Sequence, residues 1–121
     1  MSILNKVARV SIHVNDIEKA VHFYRDVLGL NMILYLKERN IARFQIGDFT
    51  LGLHVKYPEE GGRDPGGATG IIFESEDINK TLEELRKKGV SITFEPEDRG
   101  IMWMAGFEDL DGNEFLITQN K

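Results

Sequence analysis

Two kinds of hydrophobic spacing alternate along the first half of the chain. Residues 6–14 place apolar and polar side chains alternately and are rich in β-branched residues, which predicts a strand. Asp16 then offers a helix N-cap, apolar residues follow at three- and four-residue steps, and Gly29 is placed to end the helix. Three more strands are predicted, at 31–38, 41–46 and 49–56.

The second half repeats this order. A short apolar run at 70–74 predicts a strand, Asp77 offers an N-cap, and the spacing over 78–88 predicts a helix that Gly89 ends. Three further strands are predicted at 90–94, 101–107 and 113–119. The chain is therefore expected to contain two βαβββ modules in tandem.

The two predicted helices begin with related segments. Asp16-Ile17-x-Lys19 recurs as Asp77-Ile78-x-Lys80 with an offset of 61 residues, which indicates an internal repeat. The stretch 57–67 between them contains two prolines and four glycines, so it is interpreted as a connector or as a mobile flap beside a pocket. We expect a single domain over 1–121, with module one at about 6–57, a linker at about 58–68 and module two at about 69–119.

Composition narrows the possible functions. The 121 residues are 41% hydrophobic and 29% charged, as in an ordinary globular domain, and the net charge of −5 disfavours binding to nucleic acid. The chain has no cysteine, which excludes disulfides, thiolate metal sites and a cysteine nucleophile. No stretch resembles a secretory signal or a membrane span, so we expect a cytoplasmic protein without a membrane partner.

Two motifs carry a family resemblance. The segment Asp16-x3-Ala20-x2-Phe23-Tyr24-x3-Leu28-Gly29-Leu30 resembles the first helix of the vicinal oxygen chelate superfamily, which includes glyoxalase I, bleomycin-resistance proteins and extradiol dioxygenases. Asp109-Leu110-Asp111-Gly112-Asn113 is similar to the family's Asp-Pro-Asp-Gly-Asn turn, with leucine in place of proline. The resemblance implies an α+β fold in which curved mixed sheets of two modules form a U-shaped cavity, and it implies a homodimer.

The resemblance also implies four metal-ligand positions, on the first and last strands of each module. Counting from the capping aspartates and the Asp-Gly turn places Arg9, Gly52, Ile71 and Leu116 there, or His54 if the register of the first module slides by two. Arginine, glycine, isoleucine and leucine side chains offer no ligating lone pair. We therefore expect no metal and no cofactor. A divalent metal would need a relocated site, for which His13, His54 and Glu114 are the candidates.

The remaining candidates are judged by strand alternation. His13 shares its alternation with Arg9, and His54 with Gly52, so both histidines are expected on the cavity side, in contact with a ligand or in structural hydrogen bonds. Arg9 either pairs with an internal carboxylate or clamps an anionic or carbonyl group of a ligand. Trp103 suits either a core or a pocket for a planar molecule. The predicted ligand-binding set is Arg9, His13, His54, Ile71, Phe73, Trp103 and Leu116.

These expectations favour a metal-independent protein that binds or sequesters a small, partly planar molecule between its modules, and they favour binding over catalysis. One alternative is a metal-dependent glyoxalase-like lyase or extradiol-type dioxygenase with a relocated metal site. Another is a dimerising domain whose cavity is plugged by side chains such as Phe73, Trp103 and Leu116.

Overall fold

The structure, a computed structural model, describes residues 2–55 and 64–121. The chain divides into two compact units, Met1–Asp64 and Pro65–Lys121. The elements of the first unit are β1 (Val10–Val14), α1 (Ile17–Val21), β2 (Asn31–Leu36), β3 (Ile41–Ile46) and β4 (Phe49–Val55). Those of the second unit are β5 (Gly67–Glu74), α2 (Ile78–Lys87), β6 (Ser91–Asp98), β7 (Met102–Glu108) and β8 (Asn113–Asn120).

Each unit is one mixed sheet with a helix on one face. The first sheet has the strand order β1-β4-β3-β2, with β1 parallel to β4 and the other pairs antiparallel. The second sheet has the same plan, β5-β8-β7-β6, with β5 parallel to β8. This confirms the predicted α+β fold class with a βαβββ order in each half.

The core of each unit lies between its sheet and its helix. In the first unit α1 contacts β3 and β4, and in the second unit α2 contacts β6, β7 and β8. The buried apolar side chains of the first unit are Ile12, Val14, Ile17, Ala20, Val21, Phe23, Tyr24, Ala42, Phe44, Leu51 and Leu53. Those of the second unit are Ile78, Leu82, Val90, Ala105, Phe107, Phe115 and Ile117.

The repeated Asp-Ile-x-Lys segment is a repeated helix cap. The Asp16 carboxylate accepts a hydrogen bond from the Lys19 backbone N–H at 3.0 Å, and Asp77 accepts one from the Lys80 N–H at 3.1 Å. Each bond satisfies a backbone donor that the first helical turn leaves without a partner. The identical spacing in the two halves therefore follows from the same local requirement.

The first helix ends differently from the prediction. After α1 the chain continues as a π-helix over His22–Val27, in which the Leu28 N–H donates to the Phe23 carbonyl at 2.9 Å. The widened turn includes two adjacent aromatic residues, Phe23 and Tyr24, which are both buried. The chain then leaves the helix through Gly29, whose φ of 73° is a conformation that glycine adopts without strain.

The Asp109–Asn113 turn has a structural role. The buried Asp109 carboxylate accepts hydrogen bonds from the backbone N–H groups of Asp111 and Asn113, each at 2.9 Å, and from the Asn113 side-chain amide at 2.8 Å. The Asn113 side-chain oxygen in turn accepts from the Gly66 N–H at 2.8 Å. The turn thus fixes the start of β5 beside β8.

Some predicted boundaries shift. β1 begins at Val10, four residues later than expected, whereas β6 extends to Asp98 instead of ending near 94. β5 begins at Gly67, inside the predicted linker, and residues 58–63 of that linker lie outside the described residues. Neither helix in the described part of the chain is long and apolar enough to cross a bilayer.

Candidate functional site

The first sheet presents a second face that α1 does not cover. Successive side chains of a strand point to opposite faces, so the residues between the buried Ile12, Leu51 and Leu53 point away from the helix. This helix-free face of the first sheet carries, from the described strands and the residue before β1, Arg9, Ser11, His13, Ile41, Arg43, Gln45, Thr50, Gly52 and His54.

Gly52 lies at the centre of this face. It pairs with Ser11 on β1 and with Arg43 on β3, and the neighbouring side chains bury its backbone. A Cβ atom at Gly52 would lie 2.7 Å from the Ser11 Oγ and 3.5 Å from the Arg9 Cδ. Arg9 and Ser11 therefore border the glycine on one side, and Arg43 borders it on the other.

Two histidines form the next row of the same face. His13 and His54 are direct partners in the parallel β1–β4 pairing, and their ring centroids lie 5.1 Å apart at an interplanar angle of 36°. Both side chains are half-buried. Strand alternation predicted that both histidines lie on the same side of the sheet as Arg9 and Gly52. The strand register shows in addition that the two rings are in contact.

The face is basic. Strands β1 to β4 contain Arg43, His13 and His54 but no aspartate or glutamate, and Arg9 directly precedes β1. Asp48, in the turn between β3 and β4, lies at the edge of this face with Lys6, where both line a shallow depression. Within the described residues no carboxylate forms an ion pair with Arg9 or Arg43, which leaves the internal-pair explanation for Arg9 without support.

The residues at the implied metal positions do not fit a metal ion. Arg9 and Gly52 offer no ligating group, and neither does Leu116. Among residues 2–55 and 64–121, no three His, Asp or Glu side chains are grouped so that they could hold a metal ion. His13 and His54 do converge, but the third candidate of a relocated site, Glu114, is not grouped with them.

The second sheet has a corresponding helix-free face with different side chains. Ile72 pairs with Leu116, Leu116 with Gly106, and Gly106 with Phe94. Ile72 is 50% exposed and Leu116 is half-buried. A Cβ at Gly106 would lie 2.6 Å from the Phe94 Cε1, so the aromatic ring covers the glycine.

Ile71 and Phe73 lie on the opposite side from Leu116, which corrects their expected orientation. The Phe73 ring is 5.8 Å from Phe115 and 6.0 Å from Phe107 between centroids, within the helix-covered core. The reason is one residue of register. Arg9 precedes Asp16 by seven residues, and the same interval before Asp77 leads to Gly70, so Ile71 and Phe73 take the other alternation.

Trp103 also lies on the helix-covered side, at one end of the sheet. It pairs with Gln119, whose side-chain oxygen accepts a hydrogen bond from the N–H of Ile78 at the start of α2. The ring is 36% exposed, and the Lys121 Nζ lies 4.7 Å from its centroid. Lys121 also donates to Asp98, and this hydrogen bond lowers the pKa of the Asp98 carboxyl.

The sequence interpretation missed Arg43. Its side chain belongs to the helix-free face because its neighbours Ala42 and Phe44 are buried on the other one. The predicted strand at 41–46 already contained this alternation. Arg43 pairs with Gly52, and this pairing places Arg43 near Arg9 and Ser11. The pairing depends on the register between strands, which the local sequence does not predict.

Comparison with known proteins places this fold. The Glyoxalase/Bleomycin resistance protein/Dioxygenase superfamily matches residues 6–117. The chain belongs to this superfamily. Its match covers both βαβββ units, in agreement with the resemblance seen in the first helix and in the Asp-Gly turn.

Three known proteins are similar to this chain in sequence or in fold. A crystal structure of a superfamily member from Sphaerobacter thermophilus is 29% identical, covers 98% of this chain and 100% of its own, and superposes with a TM-score of 0.85. A probable lactoylglutathione lyase of Synechocystis is 30% identical over 89% of this chain and 90% of its own length. TnmS3, an antibiotic binding protein from Streptomyces, shares the fold at 22% identity, with full coverage of both chains and a TM-score of 0.81.

Proposed function

We propose that this superfamily member is a metal-independent protein that binds a small, partly planar molecule and sequesters or carries it. The observation that supports this most is the pair of residues at the first module's metal positions. Arg9 and Gly52 lie together there and supply a cation and a gap in place of two ligands.

The chemistry of these residues favours binding over metal-assisted turnover. A tightly held divalent ion needs three or four converging nitrogen or oxygen ligands. Among the described residues of the helix-free face of the first sheet, His13 and His54 supply the only imidazoles and no carboxylate adds to them, whereas the positive charges of Arg9 and Arg43 would repel a cation. TnmS3, which shares this fold, is an antibiotic binding protein, and this supports a binding role.

The half-buried histidine rings suit contact with a planar ligand, because flat π-systems stack on one another.

We further propose that the protein acts as a homodimer, as the family resemblance implies. Light scattering at micromolar concentration tests this directly. A mass of one chain at every concentration would contradict it.

The test of metal independence is elemental analysis of protein purified without chelators, combined with a thermal-shift screen of planar aromatic compounds. We expect less than about one tenth of an equivalent of Ni, Zn, Mn or Fe, and a raised Tm with at least one compound, since a ligand that binds only the native state stabilises it. A full bound equivalent of a transition metal would overturn the proposal.

The histidine pair favours one alternative, a metal-dependent glyoxalase-like lyase or an extradiol-type dioxygenase that uses His13 and His54. The probable lactoylglutathione lyase among the relatives is consistent with it. A His13→Ala/His54→Ala variant separates the two functions. A metal-dependent activity that is present in the parent protein and lost in this variant would establish the alternative.

A further inference from the structure

Charge is distributed unevenly between the two sheets. The strands of the first sheet contain no acidic residue, as described above, although the whole chain has a net charge of −5. The strands of the second sheet contain no lysine, arginine or histidine. Their acidic residues are Glu74, Glu95, Glu97, Asp98, Glu108 and Glu114. The basic face of the first sheet is therefore a local exception.

The two arginines on this face border the same gap. Arg43 pairs with Gly52 from β3, and the Arg9 side chain passes within 3.5 Å of the position where a Gly52 Cβ would stand. Neighbouring strands are about 4.8 Å apart, so Ser11 and Arg43 are separated by about 10 Å across the glycine. Because Gly52 has no side chain, a group of a ligand can approach the sheet there, beside the Ser11 hydroxyl and with an arginine on each side.

Two arginine side chains that border one glycine favour an anion between them. They repel each other when nothing separates them, and no described carboxylate forms an ion pair with either of them. A guanidinium presents its N–H donors as a planar fork that matches two oxygens of a carboxylate or phosphate. The Ser11 hydroxyl, 2.7 Å from the same Cβ position, adds a further donor.

We infer that the ligand carries a carboxylate or phosphate group, which Arg9 and Arg43 bind from opposite sides of Gly52. This inference rests on the proposed ligand-binding function and specifies the chemical class of the ligand. The half-buried His13 and His54 rings, in the adjacent row, then contact the planar part of the same molecule. Arg43 becomes a binding residue, and Gly52 determines how closely the anion approaches the sheet.

The test is an NMR titration of the full chain with three probes of one shape, which are benzoate, benzamide and benzylammonium, at pH 7.5 and constant ionic strength. We expect benzoate to shift the backbone signals of Ser11, Arg43 and Gly52 and the side-chain Nε–H signals of both arginines. Benzamide and benzylammonium should bind at least tenfold more weakly. Equal binding of the neutral probe would overturn the inference.

Arginine variants make the assignment specific. Arg9→Gln and Arg43→Gln should each weaken benzoate binding at least tenfold. Arg99→Gln, which changes an exposed arginine of the second unit that pairs with Glu97, should leave it unchanged. Preserved backbone spectra of the variants exclude unfolding as the cause. Full benzoate affinity in either Arg9→Gln or Arg43→Gln would contradict the two-sided arrangement.

Inorganic phosphate and phenyl phosphate distinguish the two anion classes. Binding of phenyl phosphate with weak binding of benzoate indicates a phosphorylated ligand, and the reverse order indicates a carboxylate. If no anion binds but a neutral or cationic compound from the thermal-shift screen does, the inference fails and the proposed binding function stands. If no compound in either experiment binds, both are wrong.

Discussion

Equivalent rows of the two sheets contain different side chains. Across the first sheet, in the order β1-β4-β3-β2, the Gly52 row consists of Ser11, Gly52, Arg43 and Leu34. Across the second sheet, in the order β5-β8-β7-β6, the Leu116 row consists of Ile72, Leu116, Gly106 and Phe94. Ser11 and Ile72 are 61 residues apart, the offset of the repeated helix caps.

The two rows show that a duplicated backbone supports different chemistry in its two copies. In the Gly52 row the glycine lies beside the Ser11 hydroxyl and the Arg9 side chain on one side, and beside its strand partner Arg43 on the other. In the Leu116 row, Leu116 stands on the strand equivalent to that of Gly52, and the glycine, Gly106, lies on the neighbouring strand. The Phe94 ring covers Gly106. Strand order and capping are common to both sheets, whereas arginine side chains beside the glycine of the row are found in one.

The largest expected effect comes from substitutions in the two cores. They test whether the helix-covered faces of the two sheets contribute equally to stability, although the helix-free faces carry different side chains. Phe44 and Phe115 are fully buried in their respective units. Phe44→Ala and Phe115→Ala should each lower the free energy of unfolding by about 3–5 kcal/mol, because each leaves a cavity in a packed core. Urea denaturation followed by circular dichroism measures the loss. A cost below about 1 kcal/mol in one unit alone would show that the two cores are not equivalent.

The substitution Gly52→Ala would place a side chain at the centre of the Gly52 row. In Gly52→Ala the new Cβ would lie 2.7 Å from the Ser11 Oγ, so the serine must shift. Because the Ser11 side chain is exposed and can rotate away, this should cost at most about 1 kcal/mol in the free energy of unfolding. The same methyl group would stand between the sheet and the proposed anion and keep the anion from approaching Gly52, so benzoate affinity should fall at least tenfold.

The double variant Ser11→Ala/Gly52→Ala is the matched control. Removing the hydroxyl relieves the close contact, so most of the lost stability should return while benzoate binding stays weak. Ser11→Ala alone should leave the fold unaffected and should weaken benzoate binding less than the double variant does, because it removes one hydroxyl donor and adds no methyl group at Gly52. Recovery of binding together with stability would show that the methyl group acted through strain and not by filling the anion site.

Most of the fold could be predicted because its signals are local. Alternation and capping located the eight strands and the helices α1 and α2 of the described residues, and Asp16 and Asp77 make the hydrogen bonds expected of N-caps. The π-helical turn at His22–Val27 was not predicted, because a backbone hydrogen bond displaced by one residue leaves the apolar spacing nearly unchanged.

The candidate site was only partly predictable. Alternation within one strand put Arg9 and His13 on a common side, and the structure agrees. Which residues of other strands join them depends on the pairing register, so Arg43 was overlooked. At Phe73 a count that was one residue off reversed the predicted face, since strand side chains alternate with a period of two.

The repeated caps offer a smaller test of equivalence. Asp16→Ala and Asp77→Ala should each lower the free energy of unfolding by about 0.5–2 kcal/mol, because each leaves a first-turn N–H without its acceptor. Asn at either position keeps an acceptor oxygen and should preserve most of the stability. Thermal unfolding measured for the four variants makes the comparison. An Asn variant as unstable as its Ala counterpart would show that capping is not the cause.

The smallest expected effect concerns an ion pair found in the first unit, on the surface of its helix. Hydrogen bonds from Arg25 and then from His22 lower the pKa of Asp26 to about 2. Because this pKa is lower in the folded protein than in the unfolded chain, the stabilisation is present above the usual carboxyl range and is lost as the pH falls towards 2. The unfolding free energies of the parent protein and Asp26→Asn should therefore differ slightly at pH 6 and converge by pH 2. Exposure of all three side chains keeps the difference small, and high salt should reduce it further. If the difference in unfolding free energy between the parent protein and Asp26→Asn grew as the pH fell, the pKa of Asp26 could not be lowered in the folded protein.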